Sequence, residues 1–96
     1  MTIKVKARLL GVFSSILDKN QISLKPKNPT VKDAILLLAE SLPSDAKHLL
    51  IDPELNDPRP NALILVNGKE INVLQGLETI LKDGDEVTLI PVSHGG

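Results

Sequence analysis

Residues 2–10 read Thr-Ile-Lys-Val-Lys-Ala-Arg-Leu-Leu, with Ile3, Val5, Ala7 and Leu9 facing one way and Lys4, Lys6 and Arg8 the other. This strict period of two predicts a half-buried strand with a solvated basic face. Gly11 breaks it. Gln21–Lys25 repeats the alternation, with Ile22 and Leu24 on one face, so the two runs predict a hairpin across a loose loop. Pro26 and Pro29 end the second run.

The period then changes. Val31, Ala34, Ile35, Leu38 and Leu42 recur at i, i+3/i+4 spacing, which predicts an amphipathic helix. Thr30 fits its N-cap, and Asp33 places a carboxylate near the positive end of the helix. Leu36 and Leu37 carry apolar character beyond one stripe, so part of the helix is expected to pack under the following loop, and Pro43 ends it. Residues 43–61 hold Pro43, Pro53, Pro58 and Pro60 among Asp45, Asp52, Glu54 and Asp57. They read as a connecting loop with a short helical turn around residues 46–50.

Strand signals return at Ala62–Val66, an unbroken apolar run closed by Asn67-Gly68, a strong two-residue hairpin turn. Residues 69–73 are expected to run back as a short strand. Leu77–Leu81 makes one tight apolar turn, Asp83-Gly84-Asp85 makes another, and Glu86–Val92 is the last strand. Pro91 near its end requires a position where a missing N–H is tolerable. One main helix covers only one face of a four- or five-stranded sheet, so the fold class is α+β with the other face open.

Ninety-six residues suit one domain, and eleven basic against twelve acidic residues give a net charge of −1. That balance carries no electrostatic footprint for nucleic acid or an anionic membrane. Without cysteine, disulfides, thiolate metal sites and a cysteine nucleophile are excluded. Phe13 is the sole aromatic residue, which leaves base stacking almost nothing to work with. The longest apolar run, Ala34–Ala39, falls far short of the ~18 residues of a membrane span, and the N-terminus lacks a signal-peptide core. A cytoplasmic protein is the expectation.

Classical site chemistry is scarce. Asp52, Glu54, Asn56 and Asp57 superficially suggest a calcium loop, but Asp57 stands where that loop needs Gly and Leu63 where it needs Glu. His48 and His94 are far apart, and adjacent Ser93 and His94 have nothing to orient them as a dyad. No glycine-rich phosphate loop occurs. The final Ser93-His94-Gly95-Gly96 differs in kind: at ordinary glycine usage of ~7%, two closing glycines arise in roughly one chain in 200. Glycine accepts nearly any backbone conformation and has no Cβ, so such a tail threads a narrow channel. Four extended residues reach about 13–14 Å and deliver one group, the terminal carboxylate. That carboxylate is ionised at neutral pH and becomes an electrophile only when activated, for instance by adenylation.

The stretch Leu81-Lys82-Asp83-Gly84-Asp85-Glu86-Val87-Thr88-Leu89-Ile90-Pro91-Val92, running into Ser93-His94-Gly95-Gly96, resembles the ubiquitin-like sulfur carriers and protein modifiers. These include the ubiquitin-related modifier, the archaeal small modifier proteins, the thiazole-pathway carrier and the small subunit of molybdopterin synthase. Arg59–Gly68 and Thr30-Val31-Lys32-Asp33-Ala34 support the resemblance. It implies a β-grasp (ubiquitin-like) domain over residues 1–92, a mixed four- to five-stranded sheet packed on one main helix, and a flexible tail over 93–96. It implies a carrier, not an enzyme. An activating enzyme supplies ATP and magnesium, the chain itself binding no cofactor, and adenylates the Gly96 carboxylate. A persulfide sulfur then leaves a thiocarboxylate, which a sulfurtransferase or tRNA-thiolating enzyme passes to a wobble uridine. Alternatively, a target-protein lysine captures the activated carbonyl. His94 and the long loop before Arg59-Pro60 lean toward the ubiquitin-related modifier. Sulfur transfer to a molybdopterin precursor is the alternative, and a non-covalent β-grasp binding module is the reading from another class.

In this scheme Gly96 is the attachment site, and Gly95, His94 and Ser93 are the tail the activating enzyme holds. The body must dock as well, because ordering four tail residues costs about 4–8 kcal/mol at 1–2 per residue. Glu86 shares a face with Thr88 and Ile90, which assigns Val87 and Leu89 to the core. Both faces of the third strand are apolar. The ubiquitin resemblance turns Ile64 and Val66 inward and leaves Leu63 and Leu65 beside Thr88 and Ile90 as the docking face. Self-association, or a covering by the 43–61 loop, is the competing account of that face.

Overall fold

The computed structural model of the chain describes residues 2–92. Strands β1 (Val5–Leu9), β2 (Gln21–Leu24), β3 (Ala62–Val66), β4 (Lys69–Glu70) and β5 (Glu86–Pro91) form one sheet in the order β2-β1-β5-β3-β4. β1 and β5 run parallel at its centre, and the remaining pairs are antiparallel. Helix α2 (Val31–Glu40) packs on one face. This is the expected β-grasp arrangement.

Period two in β1 becomes alternate burial: Val5, Ala7 and Leu9 are buried, Lys6 and Arg8 exposed. Ile3 lies before the strand and is partly buried against the core. In α2 the Thr30 hydroxyl accepts the Asp33 N–H at 3.2 Å, as its capping position requires. The helix has ten residues, too few for stability alone, so packing holds it. Val31, Ala34, Ile35, Leu38 and Ala39 are buried; a fully buried Leu, Ile or Val contributes roughly 1.5–3 kcal/mol.

Several expectations are corrected. The segment after Gly11 is not a loose loop but a helix, α1 (Gly11–Leu17), which buries Phe13 and ends at Asp18 in a left-handed conformation. α2 stops at Glu40, although Leu42 is still buried. β4 covers only Lys69–Glu70. The Glu70 carboxylate accepts the Asn72 N–H and draws residues 71–73 into a 3-10 turn that buries Ile71. The turn near residue 46 is a 3-10 helix over Ser44–Leu49, and that near residue 77 spans Gly76–Glu78. Leu36, 39% exposed, lines an open groove with His48, Ile51 and Pro53 of the following loop, and Leu37 is partly buried against the core.

Asn67 and Gly68 both have positive φ, 50° and 85°, the geometry a tight hairpin demands. Asn67 also fixes β5. Its N–H donates to the Glu86 carbonyl, its Oδ1 accepts the Glu86 N–H, and its amide donates to Asp85. The hairpin thereby sets where the last strand starts, and so where it ends.

Candidate functional site: the open sheet face and the root of the tail

β3 and β5 present one face to α2 and the other away from it. Ile64, Val66, Val87 and Leu89 are buried on the helix side, as expected. On the far side, Leu63 stands opposite Ile90 and Leu65 opposite Thr88, so the four residues singled out as a docking face form one contiguous block. Leu63 is 39% exposed, and Leu65 and Ile90 are half-buried. Thr88 departs from expectation: it is buried, at 9% exposure. It sits in the central strand between Leu65 and Arg8, two longer side chains that rise beside it from the neighbouring strands. The face is therefore an apolar strip of Leu63, Leu65 and Ile90, with Thr88 as its floor. Arg8 and Lys6 of β1 flank it, beside Thr88 and Glu86.

β5 leads out of this face to the tail. Pro91, which lacks an N–H, lies at the strand end opposite Ala62. Gly11 packs against it: a Cβ there would stand 2.7 Å from Pro91 Cγ, and Gly11 has φ +55°, so only glycine fits without strain. The Val92 N–H donates to the Asn61 carbonyl at 3.0 Å. The Asn61 side-chain amide in turn donates to the His48 carbonyl at 3.1 Å. The last turn before the tail is thus tied to the 44–49 segment. Sequence reasoning missed Gly11 and Asn61; a glycine closing an alternating run, followed by Phe13, Ile16 and Leu17 at helical spacing, was the available signal for the first. Ser93, His94, Gly95 and Gly96, the tail of the scheme, lie outside the described residues.

The acidic loop uses its carboxylates internally. One Asp52 oxygen accepts the N–H groups of Glu54 and Leu55, each at 2.9 Å. Asp57 accepts the Arg59 N–H and is bridged by the Arg59 guanidinium at 2.6 Å. That side-chain hydrogen bond holds the Asp57 carboxyl below its ordinary range, and the same contact raises Arg59. Among the described residues, no group of three or more His, Asp or Glu side chains could hold a metal ion. The pocket between Arg59, Leu63, Glu70 and Val92 has a volume of about 110 Å³, below the ~300–1,000 Å³ of small-molecule sites, and a wider open groove of about 430 Å³ lies between Leu36, His48, Ile51 and Pro53. Among the described residues, no helix is long and apolar enough to cross a membrane.

The model of the ThiS family matches residues 8–96. The chain belongs to the ThiS family. A protein of Archaeoglobus fulgidus that its name assigns provisionally to the sulfur carriers is 31% identical, with both chains covered in full. The ubiquitin-related modifier 1 homolog of Dictyostelium discoideum is 29% identical over 98% of this chain and all of its own. Among solved structures, the small archaeal modifier protein 1 of Methanosarcina acetivorans superposes with a TM-score of 0.82 at 28% identity, covering 100% of this chain and 99% of its own. The chain is thus a member of the ubiquitin-like sulfur carriers and modifiers, and it shares their β-grasp fold.

Proposed function

We propose that this ThiS-family chain presents its Gly96 carboxylate to an adenylating enzyme and carries sulfur there as a thiocarboxylate. The observation that supports it most is the family match, which runs through the last strand to Gly96 itself. The chemistry balances in three steps. A Gly96 carboxylate oxygen attacks the α-phosphorus of ATP held with magnesium by the partner, and pyrophosphate leaves. A persulfide's terminal sulfur attacks the acyl carbon, and AMP leaves. A thiol then cleaves the resulting acyl disulfide at its S–S bond, leaving the thiocarboxylate on Gly96. Cysteine's absence from the chain suits this, since no internal thiol competes for the activated carbonyl.

The acceptor we favour is a tRNA wobble uridine, reached through a thiolating enzyme; a lysine of a target protein attacking the acyl-adenylate gives an isopeptide bond by the same activation. The named relatives, a sulfur carrier and a ubiquitin-related modifier, support both outcomes. Docking of the body is assigned to the Leu63, Leu65, Thr88 and Ile90 face, with Gly95, His94 and Ser93 in the partner's channel. Glycine at 95 answers a steric need there, while His94 is a solvated tail residue of minor effect. One extra residue after Gly96 tests the reading, because it removes the carboxylate from the place where it reacts. Pyrophosphate exchange with a matching activating enzyme should then disappear. A wild type that supports no exchange, and whose partner binding is unchanged by the extra residue, would instead be a non-covalent binding module.

A further inference from the structure

A second surface surrounds the root of the tail, on the other side of the strand end from Leu63 and Ile90. Val12 of α1, His48 and Leu49 of the 44–49 turn, and Asn61, Pro91 and Val92 line an open groove of about 310 Å³. Three separate segments bring exposed apolar side chains to it: Val12 is 41% exposed, Leu49 37% and Val92 42%. Such side chains on a helix, a 3-10 turn and a strand end have no common sequence period, so pattern reading does not group them.

The separation between this groove and the reacting end of the proposed function bears on what covers it. Ser93–Gly96 are four residues, and at ~3.3–3.6 Å per residue a stretch of four spans at most about 13–14 Å. A protein domain of 100 residues has a radius of gyration of about 13 Å. A protein that encloses the Gly96 carboxylate in a site of its own therefore has its surface over the root. Pro91 shares the parity of Val87 and Leu89, whereas Leu63 and Ile90 lie on the open side, and Val92 borders both this groove and the pocket beside Leu63. The root is also tied to the groove wall, through Val92 N–H to Asn61 and Asn61 to His48. An occupant of the groove consequently fixes the direction in which the tail departs.

We propose that the Val12–Leu49–Val92 groove is a second docking surface for the protein that activates Gly96, and that it receives an apolar side chain of that partner. The partner straddles the end of β5, gripping the open face on one side and this groove on the other. The inference rests on the reading of Gly96 as the reacting end.

The test uses the full chain with a matching activating enzyme, ATP–pyrophosphate exchange, sedimentation and thermal melting. Leu49→Glu and Val12→Glu, made singly, should raise the KM for the carrier about tenfold, some 1.4 kcal/mol of binding, with kcat and melting temperature retained. Leu55→Glu, at a loop position 68% exposed, should change nothing. If Leu49→Glu lowers the melting temperature, Val12→Glu and the uncharged Leu49→Gln carry the comparison. Exchange by the wild type with unaltered KM in the Val12 and Leu49 variants overturns the proposal alone. A wild-type dimer that these substitutions dissociate assigns the groove to a second copy and overturns it too. A wild type that supports no exchange overturns the reading of Gly96 and this inference with it.

Discussion

The two faces of the β3–β5 ladder are built from the same strands and nearly the same side chains, yet they have opposite fates. Ile64, Val66, Val87 and Leu89 share one core with the buried residues of α2 and are buried to 6% exposure or less, whereas Leu63, Leu65 and Ile90 lie outside that core and keep part of their surface in water. Hydrophobicity alone does not separate them. Layer order does, since the α2 face covers one side and no described element of comparable size covers the other. An apolar strip left uncovered in a small domain is more informative than the core it mirrors.

The largest effect expected from breaking this contrast lies on the helix side. Leu89→Ala leaves a cavity among Leu9, Ile64 and Val87 and should cost about 2–5 kcal/mol in urea unfolding. A loss much below that range would mean the helix side is less tightly filled than its burial indicates. On the open side, Leu65→Arg or Ile90→Arg should weaken binding to the activating enzyme by well over tenfold, about 1.4 kcal/mol or more, with little loss of stability. Unfolding by either substitution would move those side chains into the core and erase the contrast.

The smallest effect is on the loop beyond both faces. The Arg59 guanidinium, hydrogen-bonded to Asp57, keeps that carboxyl below its unfolded value of ~3.9. A depressed folded value means the stabilisation is present above that pH and is lost as pH falls through and below it. Because the Arg59 side chain is half exposed, Arg59→Ala should cost at most about 1 kcal/mol. The difference between wild type and variant, followed by urea titration from pH 7 to pH 3, should shrink toward the acid end. A difference constant across that range would assign the effect to packing instead.

The strands and α2 were legible because their signals are local and unambiguous: alternation in β1, a capping threonine before α2, Asn-Gly between β3 and β4. α1 was hidden for physical reasons. It has seven residues, its N-cap position is Leu10 without a side-chain cap, and its first turn has no acid. β4 was overextended because Ile71 and Val73 read as strand, while Glu70 hydrogen-bonding to Asn72 turns the chain. The docking block Leu63–Leu65–Thr88–Ile90 was legible as a parity set. The burial of Thr88 depended on the length of its neighbours across two ladders, which one strand's sequence does not carry. Of the root of the tail only Pro91 at the strand end was legible, because Gly11, His48 and Asn61 join it only through tertiary contacts.

The central claim is that the Gly96 acyl group carries sulfur. Intact mass of the full chain, after incubation with a matching activating enzyme, ATP, magnesium and a persulfide donor followed by a thiol, tests it most directly. Replacement of one carboxyl oxygen by sulfur should add about 16 Da, confined to the C-terminal peptide. An unchanged mass alongside pyrophosphate release would contradict the sulfur-carrier account and leave conjugation as the use of the activated carboxylate.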